Sequence, residues 1–156
     1  MAVTECYIKG RYDFGVGKCA VVIVEGGKVI HQVAWKVPDS WDYKGETIKA
    51  DQYNCEILAA TFALQWCALR LKPLVNIYSN LNTCQKWYLR RDFPESRNAS
   101  AKMYTDASDG YKASLDEHEG NEVAERVYAE WIPKDCDEAK YAEFNYLLNQ
   151  IAENVK

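Results

Sequence analysis

The side chains able to do acid–base, metal or nucleophilic work are few and scattered along 156 residues. Six cysteines (Cys6, Cys19, Cys55, Cys67, Cys84 and Cys136) include no Cys-x-x-Cys pair, and His31 and His118 stand at no ligand spacing to them. A structural zinc site is therefore not expected. Buried free thiols in a reducing compartment are the simpler reading, since Cys6 and Cys19 lie in strand-like runs and Cys55 and Cys67 in a helical one. Among the carboxylates, Glu56 is set in the apolar run NCEILAATFAL, and Asp13, Asp135 and Asp137 flank strand-like segments. Lys86, Arg90 and Arg91, with Arg97 and Lys102 beyond, are interleaved with Trp87, Tyr88 and Phe93. Basic and aromatic side chains so mixed suit contact with single-stranded or hybrid nucleic acid. The same spacing also suits a solvated helix face whose core side is Trp87.

The formal net charge of −4 argues against holding nucleic acid by bulk electrostatics, though a local basic strip is compatible with it. Downstream, Asp106, Asp109, Asp116, Glu117, Glu119 and Glu122 make one flank acidic, which repels phosphate. With 48% hydrophobic residues and eleven tyrosines and five tryptophans, the composition is that of a globule. Aromatic residues favour protein interfaces as well as cores. The length fits one domain, residues 1–156. No apolar run reaches signal-peptide or membrane-span length, so a protein without a membrane span is expected. It is expected to be cytoplasmic, in a cell or encoded by an intracellular parasite or virus.

These residues must be positioned by elements that the pattern makes legible. Strands are expected over Glu5–Tyr12, Lys18–Val24 and Lys28–Val37, with a hairpin turn at Glu25-Gly26-Gly27. Pro38–Lys49 is polar and punctuated, and reads as a connection. From Gln52 to Leu71, Ile57, Ala60, Leu64, Cys67 and Leu71 recur at helical intervals, with Asp51 as N-cap and Pro73 as stop. A buried strand over Val75–Ser79, a helix over Asn82–Leu89 and another over Ser96–Ala113 follow. Ser114–Glu122 reads as an acidic loop, Val123–Ile132 as the fifth strand, and Asp137–Asn154 as a helix presenting Tyr141, Phe144, Leu148 and Ile151. Three hairpin-linked strands followed by alternating helices and strands predict an α/β fold. Its core would be a mixed five-stranded sheet, three strands antiparallel and the rest parallel, with helices on both faces.

Four segments in this frame resemble the ribonuclease H family. Tyr7-Ile8-Lys9-Gly10-Arg11-Tyr12 is similar to an opening motif of that family, Tyr-Val-Asp-Gly-Ser-Tyr. Asn54 to Leu64 resembles its Glu-x-x-Ala-x-x-x-Ala-Leu helix. Val75 to Asn80, followed by Gln85-Lys86-Trp87, is similar to its fourth strand and next helix, and Lys140 to Leu148 resembles its Asn-Glu-x-Ala-Asp-x-Leu motif. The family hydrolyses the RNA strand of RNA–DNA hybrids with two Mg²⁺ held by four carboxylates. Hard cations require anionic oxygen ligands.

Carried over by position, the four acids fall on Lys9, Glu56, Asn80 and Tyr146, the last within a register of a few residues. Only Glu56 is a carboxylate. A lysine where the first Asp bridges both metals is the decisive change. At 4 Å and an effective dielectric of 20, two unit charges repel by about 4 kcal/mol, and a dication doubles that. Lys9 is expected to pair with Glu56, or else to stand as a solvated strand-end lysine. Asp13, four residues along a strand from Lys9 and therefore about 13 Å away, is too distant to substitute. Asp135 and Asp137 are the better candidates for a rebuilt site. The resemblance thus implies a catalytically inactive relative with no metal and no cofactor, in which Mg²⁺ binding is not expected. Such a chain would serve as a protein-interaction module for a partner or for itself. The alternatives are a non-cleaving binder of hybrid or single strands through Lys86, Trp87, Arg90 and Arg91, and a residual metal-dependent ribonuclease.

Overall fold

The computed structural model describes residues 2–155; Met1 and Lys156 lie outside the described residues. Strands β1 (Val3–Asp13), β2 (Val16–Glu25) and β3 (Lys28–Val37) pair antiparallel in sequence, joined by tight turns. Gly26 and Gly27 both take positive φ, as the β2–β3 turn requires. Strand β6 (Leu74–Ser79) lies parallel to β1, and β7 (Val127–Trp131) parallel to β6, giving the order β3-β2-β1-β6-β7.

This central sheet is buried on both sides. Along β2, Cys19, Val21 and Ile23 point into one core, and Ala20, Val22 and Val24 into the other. The first core is closed by helices α1 (Gln52–Leu69) and α2 (Asn98–Glu119), the second by α3 (Ala139–Glu153). Helix α1 begins where expected, because the Asp51 carboxylate accepts a hydrogen bond from the Asn54 backbone N–H at 2.7 Å. It ends two residues earlier than expected, at Leu69, and Leu71 turns the chain with φ 53°.

Three expected segments differ. Pro38–Lys49 contains a hairpin of β4 (Ser40–Tyr43) and β5 (Glu46–Lys49) around Lys44-Gly45, both at positive φ. Its polar composition hid two short strands that bury Ile48 and hold α2 through Asp106, which accepts from Tyr43 Oη at 2.6 Å. Helix α2 runs on through the acidic stretch expected to be a loop, closing on Gly120 in the left-handed conformation. Burial of Tyr111 and Leu115 and two ion pairs explain this: the buried Arg126 meets Asp116 at 2.7 Å and Glu119 at 3.0 Å. Those contacts also shorten the fifth strand of the sheet to Val127–Trp131. Finally, the helix expected over Asn82–Leu89 is a single π turn, Gln85–Leu89, in which the Arg90 N–H reaches back to Gln85 O.

One contact fixes how α1 meets the sheet. A Cβ on Gly10 would lie 2.1 Å from the Glu56 backbone nitrogen and 2.6 Å from the Cys55 carbonyl carbon. Gly10→Ala is therefore expected to push β1 and α1 apart and to cost about 3 kcal/mol. A thermal or denaturant melt that left the variant as stable as the parent would contradict this packing.

Candidate functional site

The carboxyl ends of β1 and β6 open into a cleft of about 720 Å³ whose walls include Lys9, Glu56, Asn80 and Lys134. Strand parity decides which side each group occupies. Lys9 shares the face of Tyr7, toward α3, whereas Gly10 faces α1 and lets its backbone touch Glu56. Glu56 itself is buried, 4% exposed, and accepts a hydrogen bond from Ser79 Oγ, whose oxygen also accepts from the Leu81 N–H at 3.0 Å. Burial pushes the Glu56 carboxyl up to about 7. The Ser79 hydrogen bond and the charges of Lys9 and Lys134 act against that rise.

The expected Lys9–Glu56 ion pair is not formed. Lys9 Nζ donates instead to Asn80 Oδ1 at 3.4 Å, while Glu56 is engaged by Ser79 on the α1 side of the sheet. Nor is Lys9 a solvated strand-end lysine: it is half-buried in mid-strand, and burial, then the charges of Lys134 and Arg11, lower its pKa. Asn80 is fixed by donating to Ile132 O at 2.8 Å and meets Asn145 Oδ1 at 3.4 Å.

Tyr146 does not reach this cluster. It is 68% exposed, and the neighbouring Asn145 is buried in its stead beside Asn80. The signal for this was in the sequence. Asn145 lies four residues after Tyr141 and three before Leu148, on the apolar stripe of α3, and Tyr146 lies off it. Ser79 and Lys134 were also missed. Ser79 has the strand parity of Val75 and Ile77, toward α1, and Lys134 sits just past Pro133 where no periodicity applies.

The groups that meet at the four positions are thus one carboxylate (Glu56), two amides (Asn80 and Asn145) and one ammonium (Lys9). Among the described residues no group of three or more His, Cys, Asp or Glu side chains is placed to hold a metal ion. Asp13 and Glu153 line the cleft but face Arg11 at 3.0 and 3.9 Å, and Asp135 and Asp137 lie exposed beyond its walls. A seat for two Mg²⁺, as the ribonuclease H resemblance implies, does not fit these donors, because three of the four positions supply no negative oxygen.

The basic and aromatic cluster is dismantled by its own neighbours. Trp87 is 8% exposed and packs on Tyr53, Tyr88 and Phe93, so it is core and offers no stacking platform. Arg91 pairs with Asp109, Arg97 with Asp51 at 2.5 Å, and Lys86 with Asp92 at 3.9 Å. Arg90 and Lys102 stay exposed. The five cysteines other than Cys136 are buried, and all six are free thiols. No helix of the described residues is long and apolar enough to cross a membrane.

Because the folded-state value of Glu56 lies above the ordinary 4.5, the fold favours its protonated form. This contribution is fully present below about pH 4.5 and is lost as pH rises through about 7. Glu56→Gln keeps the shape and the acceptor for Ser79. It is expected to remove a loss of stability of roughly 3 kcal/mol between those limits. Denaturant melts across pH 4–8 check this, and parallel pH profiles for parent and variant would contradict it.

No protein-family model matches the sequence, and no curated protein matches it. Solved structures do. Ribonuclease H1 from Halobacterium salinarum superposes with a TM-score of 0.63 over 97% of this chain and 98% of its own, at 13% identity. LC11 ribonuclease H1 in complex with an RNA/DNA hybrid gives 0.60 over 97% and 95%, at 14% identity. The protease–reverse transcriptase of prototype foamy virus gives 0.66 over 98% of this chain but 20% of that one, at 11% identity. Sheet order, helix placement and these superpositions agree that the chain has the ribonuclease H fold.

Proposed function

We propose that this protein does not hydrolyse nucleic acid and acts as a binding module, chiefly for a protein partner or a second copy of itself. One observation carries the first half: the Lys9 ammonium stands in the cleft, hydrogen-bonded to Asn80. A dication placed about 4 Å from it meets repulsion of roughly 8 kcal/mol at an effective dielectric of 20. The opposing carboxylate, Glu56, is buried, and burial pushes its carboxyl up to about 7. The other two carboxylates of the cleft, Asp13 and Glu153, face Arg11 at 3.0 and 3.9 Å, and no cofactor is required for binding.

Support for a protein occupant comes from the surface. The basic side chains beside Trp87 are largely neutralised by carboxylates, and the net charge is −4. Large aromatic side chains are exposed at Phe14 and Tyr146 and half-exposed at Trp131, residues of the kind that anchor protein interfaces. A second reading, a nucleic-acid binder that does not cut, is favoured by the polar cleft, where Lys9 and Lys134 offer positive charge. Two structural neighbours, LC11 ribonuclease H1 and the foamy viral protease–reverse transcriptase, are solved in complex with an RNA/DNA hybrid.

Pure protein incubated with labelled RNA–DNA hybrid and Mg²⁺ or Mn²⁺ is expected to leave the hybrid intact. Turnover that disappears in Glu56→Ala would overturn the proposal. Restoring acids by the combined change Lys9→Asp, Asn80→Asp and Asn145→Asp is expected to create Mn²⁺ binding that calorimetry does not find in the parent.

A further inference from the structure

We propose that the cleft at the ends of β1 and β6 seats a phosphate group on the ammonium groups of Lys9 and Lys134, without a metal ion. The inference rests on the metal-free reading above and names the ligand class of that site.

Its basis is an account of charge. Lys9 is half-buried, and its one hydrogen bond among the described residues goes to a neutral amide at 3.4 Å. The carboxylates around it act on it without forming an ion pair. Ser79 holds Glu56, and Arg11 holds Asp13 at 3.0 Å and approaches Glu153 at 3.9 Å. Lys134, on the opposite wall, makes no ion pair among the described residues. Burial first, then the charges of Lys134 and Arg11, depress the pKa of Lys9, and the charges of Glu56 and Asp13 only partly offset them. A partly desolvated cation that forms no ion pair is costly, and an entering anion recovers that cost.

Phosphate suits this space better than a carboxylate. It carries three or four acceptor oxygens that can reach two separate ammonium groups, and lysine serves well as a point-charge partner for it. The amides of Gln52, Asn82 and Asn149 line the same space. The rest of the ligand is indicated by the rim, where Tyr12, Tyr53 and the half-exposed Trp131 present aromatic surface on which a base can stack. The cleft of about 720 Å³ falls in the range, roughly 300–1,000 Å³, of small-ligand sites. The predicted ligand is therefore a nucleotide phosphate, free or at the end of a strand.

The test is a titration in EDTA with inorganic phosphate, a nucleoside monophosphate and a 5′-phosphorylated oligonucleotide, read by Trp131-sensitive fluorescence and by calorimetry. Lys9→Met is expected to weaken binding about tenfold, and Lys134→Gln several-fold. The latter side chain is exposed, so the variant keeps its fold. Binding of the mononucleotide with these losses supports the seat and identifies a small ligand. Binding of the oligonucleotide alone, with the same losses, supports the seat and identifies nucleic acid. No binding by any of the three, or binding indifferent to both substitutions, overturns the inference. Uptake of Mn²⁺ by the parent without EDTA would instead overturn the metal-free reading on which it stands.

Discussion

The backbone of β1 touches the backbone of α1 at Gly10, with no room there for even one methyl group. That contact sets the geometry of the cleft. It holds Glu56 under the sheet on the α1 side and, by the alternation of the strand, sends Lys9 to the α3 side. Two opposite charges at neighbouring positions are thereby kept from pairing. Each finds a neutral partner, Ser79 for the acid and Asn80 for the base.

The electrostatic consequences follow from burial. A carboxyl group shut into an apolar core gains its proton more readily, and an ammonium group beside other cations loses one more readily. Both shifts reduce the charge at the centre of the fold. In a hydrolase with this fold, two divalent ions would do the opposite, demanding several ionised carboxylates at once. Here Asn80 donates to Ile132 O just past β7 and to Asn145 Oδ1 of α3, and neither amide carries a negative charge. The architecture depends on packing and backbone pairing, and neither needs an ion.

The fold was legible because its largest elements carry strong periodicity. The β-branched run of β2 and the apolar stripe of α1 leave few alternatives, and Asp51 marks the helix start. The hairpin at Lys44-Gly45 and the last six residues of α2 were not legible, since both are polar and are held by contacts distant in sequence, to Asp106 and to Arg126. At the site, Lys9, Glu56 and Asn80 come to one cleft because each sits on or directly after a strand or helix with a fixed register. Tyr146 was set only within a register of a few residues, and its neighbour Asn145 is the one beside Asn80, as helix α3 has to be phased by its buried side chains before a single polar position can be assigned. Trp87 was ambiguous for a related reason: an aromatic beside arginines is compatible with solvent or core, and only the packing of Tyr53 and Phe93 decides it.

The most direct measurement is anomalous diffraction from crystals of this protein soaked in Mn²⁺. The account predicts no manganese peak beside Glu56, and density for the Lys9 side chain extending to Asn80. Two manganese ions about 4 Å apart between Glu56 and the end of β6, with the lysine displaced, would contradict it.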